Sequence, residues 1–378
     1  MRKVFADIVG QELAVAVLES ALAHGSSHAY FFHGPPGVGK TETALAFAAA
    51  LACMDGGCGA CNTCRRVQQG IHPDVMILAP EGPEIRIEQI RDVNEHVAYR
   101  PYEARAKVYV ILESETMTAA AANALLRTLE EPPPHVHFLL VSDSPQEMLP
   151  TIVSRCQPVP FVRTPLPVLA GHLRERYGLE EATAKLFARV AQGNLAYARD
   201  LARSEEVRER RKALLEQAEK LPQAGLWDTE QMLEEALAHM ERRAEMTTAA
   251  LEDKKKERLE WAGDARTRAW VTKTYDQRVR RARRRAINQD LAELTAVFAS
   301  WYRDLAVLCV GAEGAVLNQD HLPRLREYVQ PDGLHLYLQA LGAVRLAQER
   351  LRYNVDVSLA LGDMFRAIKE ALNQWPMS

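Results

Sequence analysis

Nine consecutive residues, His33-Gly34-Pro35-Pro36-Gly37-Val38-Gly39-Lys40-Thr41, satisfy the phosphate-binding pattern G-x-x-x-x-G-K-[ST] in full. Glycines in such a loop let backbone N–H groups turn inward around phosphate oxygens, and the start of the following helix adds positive potential there. In this pattern Lys40 reaches the outer phosphates and Thr41 offers its hydroxyl to Mg²⁺. The candidate nucleotide-binding residues are therefore Gly34, Pro35, Gly37, Val38, Gly39, Lys40 and Thr41, with ATP or ADP and Mg²⁺ as the implied ligand.

Binding is not hydrolysis. A working site of this class also needs a second apolar strand ending in an acidic residue for Mg²⁺, usually beside a carboxylate aimed at the attacking water. The run Lys107-Val108-Tyr109-Val110-Ile111-Leu112 supplies the strand, and it leads into Glu113-Ser114-Glu115. This places Glu113 at the metal position and Ser114 where the water-activating glutamate belongs, and a serine there cannot act as the base. Glu115, one residue further along a strand, points to the opposite face. The expectation is a nucleotide cradle without competent hydrolysis.

A second group of chemistry-bearing residues follows the loop. Cys53, Cys58, Cys61 and Cys64 lie within twelve residues that also hold Gly56, Gly57 and Gly59. The N-terminus has no apolar stretch typical of an export signal, so clustered thiols point to a metal before they point to disulfides. Four thiolates on a turn-rich segment suit tetrahedral Zn²⁺, the alternatives being an iron–sulfur cluster or unligated thiols. Four protein ligands leave no open position for chemistry, so the expected role is structural. Cys156 and Cys309 are isolated and read as packing residues.

The elements that must position these groups follow from periodicity. Ala29–Phe32 is a buried strand before the loop, and Ala44–Ala52 is a helix after it. Asp74–Leu78 and Phe138–Ser142 are further strands, while Ile87–Val97 and Thr118–Leu129 are helices, the latter stopped by Pro132-Pro133-Pro134. Strands alternating with helices imply a parallel sheet covered on both faces, with the ligand at the strands' carboxyl ends. Strand signals vanish from Pro165 onward, and residues 166–201 form a small helical unit. The stretch 204–285 is rich in charge and alanine, with basic runs at Lys254–Lys256 and Arg278–Arg285, and reads as a long solvated helix or helical hairpin. A nucleic-acid contact is the sharper alternative for it, but no aromatic residue interleaves with the arginines. From Ile287 apolar residues recur at helical spacing, as in a separate helical domain. With 378 residues, 47% apolar and 26% charged, the composition is that of an ordinary globular protein of two or three domains. No apolar run reaches the ~18 residues of a membrane span, so the expectation is a cytoplasmic protein with no membrane partner.

Several motifs converge on one family. Val9-Gly10-Gln11, His28-Ala29-Tyr30, the loop at Gly34–Thr41, the four cysteines, Ala121–Pro133, Thr151–Cys156 and Asn354–Leu361 resemble the AAA+ subunits of bacterial DNA polymerase III clamp loaders, most closely the delta-prime subunit. The resemblance covers residues 1 to about 200 and again about 287 to 370. It implies an α/β AAA+ P-loop domain over 1–164 with a zinc module at 53–64 and a helical lid over 165–203. After those come a charged helical insertion or linker over 204–286 and an all-helical collar domain for oligomerisation over 287–378. It also implies that Arg155, in Ser154-Arg155-Cys156, is an arginine finger acting in trans on a neighbour's triphosphate. Arg91 is a candidate contact to primer–template DNA. The implied partners are the gamma/tau and delta subunits, the sliding clamp and the DNA. Glu113-Ser114 in place of Asp-Glu, and Ala196 in the lid where hydrolysing relatives carry a sensor arginine, separate the chain from gamma and tau, with Arg199 three residues on. The readings it leaves are a non-hydrolysing stator, an active gamma/tau-like ATPase, or a zinc-bearing P-loop regulator outside replication.

Overall fold

The computed structural model describes residues 2–352 and 355–373, so Asn354 of the motif Asn354–Leu361 lies outside it. The chain divides into two compact units, Met1–Ala202 and Arg203–Ser378.

The first unit runs α1 (Glu12–His24), β1 (Ala29–His33), α2 (Lys40–Ala52), α3 (Asn62–Gln68), β2 (Val75–Leu78), α4 (Ile87–Val97), β3 (Lys107–Ile111), α5 (Ala119–Glu130), β4 (Val136–Ser142), α6 (Pro150–Val153) and β5 (Gln157–Pro160). Its five strands form a parallel sheet in the order β2-β3-β4-β1-β5. Central β4 is buried along all seven residues, as a strand covered on both faces must be. One face packs on α1 and α2 through Leu18, Phe32, Phe47, Val108 and Val110. The other packs on α4 and α5 through Phe31, Ile90, Val93, Tyr109, Ile111 and Leu125. Asn94 joins α4 to α5, donating to the Ala124 carbonyl at 3.0 Å and accepting from the Thr128 hydroxyl at 2.8 Å. The Thr118 hydroxyl caps α5 by accepting from Ala121 N–H.

Strand β5 has no counterpart in the sequence-based reading. It contains Pro158 and Pro160, and proline in a strand is tolerated at a sheet edge, which is where β5 lies. Beyond it, α7 (Leu166–Tyr177), α8 (Glu181–Ala191) and α9 (Leu195–Arg203) bury Leu169, Leu173, Ala184, Ala188, Leu195 and Ala198 in a small core of their own.

The second unit is helical: α10 (Glu205–Lys220), α11 (Leu226–Trp261), α12 (Ala265–Cys309), α13 (Leu322–Tyr328), α14 (Leu334–Arg352) and α15 (Val357–Leu372). One core holds Leu214, Leu215 and Ala218 of α10 with Ala236 and Met240 of α11, Phe298, Trp301 and Tyr302 of α12, and Phe365 of α15. The division at 286/287 therefore falls inside the continuous helix α12, and α10 shares the core of the C-terminal helices. The shift from charged to apolar residues near Ile287 marks where α12 changes partners; the chain does not change domain there. Buried Arg211 of α10 donates to Asp320 at 2.6 and 3.0 Å and to Asn318 at 2.6 Å, tying α10 to the turn before α13. Among the described residues no helix is long and apolar enough to cross a membrane.

Candidate nucleotide and metal sites

The phosphate-binding loop spans the end of β1 and the start of α2, at the carboxyl edge of the sheet. Gly37 (φ 73°) and Gly39 (φ 95°) take the left-handed conformation that lets the loop curl, and a β-carbon on Gly37 would collide with the Asn194 amide. Lys40 opens α2 and is only 4% exposed. Its ammonium donates to the Gly34 carbonyl at 2.7 Å and to the Pro35 carbonyl, and it pairs with the Asp143 carboxylate at 2.6 Å. Asp143 follows β4 directly and is half exposed, so a phosphate reaching Lys40 would take that carboxylate's place. The loop also touches α9. Asn194 caps this helix, its side-chain oxygen accepting from Tyr197 N–H at 3.0 Å, and Ala196 N–H donates to the Gly37 carbonyl at 3.0 Å. Thus Ala196 contributes its backbone to the loop and no guanidinium. Arg199 lies near His172 of α7, whose pKa is lowered by burial and then by the charges of Arg199 and Arg176. Burial, then the charge of Lys40, lowers His33. Neither Asp143 nor Asn194 was legible as a site residue, because both reach the loop through long-range contacts.

The end of β3 departs from the sequence-based expectation. Val108 and Val110 face α2, Tyr109 and Ile111 face α4 and α5, and Leu112 continues the alternation on the α2 side. Its N–H still pairs with the Leu78 carbonyl at 2.8 Å. The strand-end residue on the α2 side, the face of the P-loop, is therefore the hydrocarbon Leu112. Glu113 comes one residue later, with left-handed φ of 52° as the chain leaves the sheet. The placement of Glu113 at the metal position followed acidity and overlooked strand parity. Ser114 is fully buried, its hydroxyl donating to the Val141 carbonyl at 3.0 Å. Glu115 accepts from Asp143 N–H at 3.1 Å, and burial raises its pKa. Ser114 and Glu115 thus serve the β3–β4 junction.

Arg155 lies between α6 and β5. Its guanidinium donates to the Thr151 carbonyl at 2.9 Å and to the Glu130 carboxylate at 2.6 Å, at the end of α5. It enters at the amino end of β5, where Gln157 pairs with Tyr30, whereas the P-loop leaves the carboxyl end of β1, where His33 pairs with Pro160. Three strand steps of ~3.3 Å, about 10 Å, separate those levels. Arg91 is exposed on α4, which buries Ile90, Val93 and Val97 on its other side.

The four cysteines converge. Cys53 ends α2, Cys61 caps α3, Cys64 sits in the first turn of α3, and left-handed Gly56, Gly57 and Gly59 fold the segment between them. All four sulfurs lie within 4.8 Å of one another, with Cys53 Sγ 3.7 Å from Cys61 Sγ and 3.9 Å from Cys58 Sγ. Sulfurs around a tetrahedral ion at about 2.3 Å stand about 3.8 Å apart, so the set fits a metal. Cys61 N–H and Cys64 N–H point at the sulfurs of Cys58 and Cys61, each at 3.4 Å, the outer hydrogen bonds expected of metal thiolates. Burial opposes ionisation of Cys53, but N–H donors from Cys58, Gly57 and Asp55 outweigh it and bring its pKa down to about 6. Burial raises Cys64. The segment also closes the start of the chain: Arg2 bonds the Gly56 carbonyl, and Gly57 packs on Val4 and Ala50.

Comparison with known proteins agrees with this architecture. Residues 10–165 match the family described as "DNA polymerase III, delta subunit". The chain is 36% identical over 200 residues to DNA polymerase III subunit delta' of Bacillus subtilis, covering 52% of this chain and 60% of that protein. It is 38% identical over 205 residues to the delta' subunit of Pseudomonas aeruginosa, covering 52% and 61%. It is also 38% identical over 201 residues to subunit tau of Escherichia coli, covering 50% of this chain and 31% of that protein. The chain thus spans about three fifths of the delta' relatives and about a third of tau. The five-stranded parallel P-loop sheet is an AAA+ fold, and over about half of its length the chain is similar to the delta' and tau subunits of bacterial DNA polymerase III.

Proposed function

We propose that this chain is a stator subunit of the clamp loader. It grips a nucleotide without turning it over, and it lends Arg155 to the ATP site of a neighbouring subunit while the assembly loads the sliding clamp onto primed DNA. The register of β3 carries this reading. Mg²⁺ is an oxygen-seeking ion, and Leu112 offers it only hydrocarbon where P-loop enzymes place a carboxylate. The position of Arg155 supports the second half: a guanidinium at the far end of the sheet from its own loop serves a triphosphate on another subunit. The loop itself is compatible with static binding of ATP or ADP, with Gly34, Pro35, Gly37, Val38 and Gly39 around the phosphates and Lys40 and Thr41 at their outer end. Cys53, Cys58, Cys61 and Cys64 hold one structural Zn²⁺. Arg91 faces primer–template DNA inside the assembly, and the helices of the second unit join the gamma/tau and delta subunits.

A second reading, an active gamma/tau-like ATPase, is favoured by the similarity to tau and by Glu113 beside the metal position. Reconstituted loader with Lys40→Ala in this chain alone separates the two. A stator leaves the assembled hydrolysis rate unchanged, whereas a motor subunit takes its share of turnover with it.

A further inference from the structure

The basic segment 254–285 is not used by any of this. It holds thirteen Lys and Arg against four Asp and Glu, a formal +9 in a chain whose total is −3. Structurally it is the distal part of the α11–α12 hairpin. Past Met240 on α11 and Ile287 on α12 the side chains leave the core of the second unit, and the buried residues Ala244, Thr248, Ala262, Val271 and Ala286 belong to the hairpin itself. These arms, about 20 residues each, extend the hairpin by about 30 Å.

At the tip the two helices enclose a notch of about 340 Å³ lined by Arg258, Trp261, Val271, Tyr275 and Arg278. Trp261 is 82% exposed, an unusual state for the largest apolar side chain. The Arg278 guanidinium lies over the Tyr275 ring at 5.5 Å. Of the acids here, Asp276 is paired with Lys255 at 2.5 Å and Asp264 caps α12 through Thr267, so the charged side chains among the notch's lining residues are Arg258 and Arg278. Tyr275 lies one turn before Arg278 on α12, and Trp261, fourteen positions earlier at the end of α11, is brought beside it by the helix folding back.

We infer that this notch binds single-stranded nucleic acid, with an unstacked base against Trp261 and the flanking phosphates on Arg258 and Arg278. Exposed aromatic faces beside arginines are the means by which proteins hold single strands without sequence preference, each stacked base adding to a salt-sensitive phosphate contact. A duplex keeps its base faces covered. An acidic peptide would use the charges and leave the indole idle.

The test is fluorescence anisotropy of labelled oligo-dT with the full-length chain. Competitors are a duplex of equal length and a poly-glutamate peptide. Trp261→Ala is expected to weaken oligo-dT binding by roughly tenfold, and Arg258→Glu with Arg278→Glu to weaken it further and flatten its salt dependence. Trp227→Ala removes another exposed tryptophan, at the opposite end of α11, and is expected to change nothing. Both tryptophans are exposed, so neither change threatens folding. The inference is overturned if oligo-dT does not bind at low salt, if Trp261→Ala binds as the parent does, or if duplex or poly-glutamate competes better than oligo-dT. Arg91 on the first unit is kept intact throughout, so a DNA contact there survives as residual binding insensitive to Trp261.

Discussion

Replacing Arg155 by alanine separates what this residue does for its own fold from the role proposed for it at a neighbour's site. It pairs with Glu130 at the end of α5, at 2.6 Å, with the two side chains 35% and 51% exposed. An ion pair so open to water contributes about 0.2–1 kcal/mol. The variant should therefore lose at most about 2–4 °C in the melting temperature of the first unit, and it should assemble with its partners normally. A guanidinium placed on a transferring phosphoryl group is worth ~10³–10⁵ in rate, about 4–7 kcal/mol of transition-state stabilisation. The site it serves should slow by that order. Steady-state hydrolysis by reconstituted loader on primed DNA with clamp reads this directly, beside size-exclusion chromatography as the control for assembly. Arg155→Lys keeps a charge beside Glu130 but loses the planar fork, and should fall much nearer to alanine than to the parent. Unchanged hydrolysis in an intact complex refutes the trans role. A complex that fails to assemble shows instead that the arginine is an interface residue.

Other expectations follow from the same structure. Protein purified without added metal should carry about one equivalent of zinc; less than about a tenth of an equivalent contradicts the metal assignment. Chelation should make Cys53, Cys58, Cys61 and Cys64 reactive to a thiol reagent and lower the melting temperature of the first unit. Arg211→Met strips Asp320 and Asn318 of a buried donor and should destabilise the second unit by about 3 kcal/mol in urea unfolding, leaving the first unit unchanged. Asp74 is buried but accepts from the N–H groups of Tyr102, Glu103 and Ala104 at 2.6–2.8 Å, and these donors outweigh burial to hold its pKa below the usual carboxylate value. A depressed acid stabilises the fold above its unfolded pKa of about 4 and loses that contribution as pH falls. Asp74→Asn should therefore cost about 1.5–3 kcal/mol at pH 7, and the difference from the parent should shrink below about pH 4; a gap independent of pH contradicts it.

Local signals in the sequence reached far into this structure, and non-local ones did not. The glycine loop between β1 and α2, the bounds of α4, and the cysteine cluster each depend on residues close in sequence, so pattern and spacing sufficed. Strand β5 was missed because Pro158 and Pro160 argue against a strand until an edge position is known. Leu112 was overlooked because an apolar residue at the end of an apolar run looks like more core; only the facing of Val108 and Val110 shows which side it takes. The pairing of Lys40 with Asp143, about a hundred residues on, and of Gly37 with Ala196 depends on the closed sheet and lid. The division at 286/287 failed for a different reason. Composition changes along α12 because its neighbours change, while the helix itself continues.

The most direct measurement is ATP turnover by the isolated full-length chain in the presence of primed DNA and clamp, with Lys40→Ala as the control. With Leu112 at the strand end that should present a metal ligand, the isolated chain should bind nucleotide and release no phosphate above the Lys40→Ala background. Sustained turnover that disappears with Lys40→Ala would contradict it.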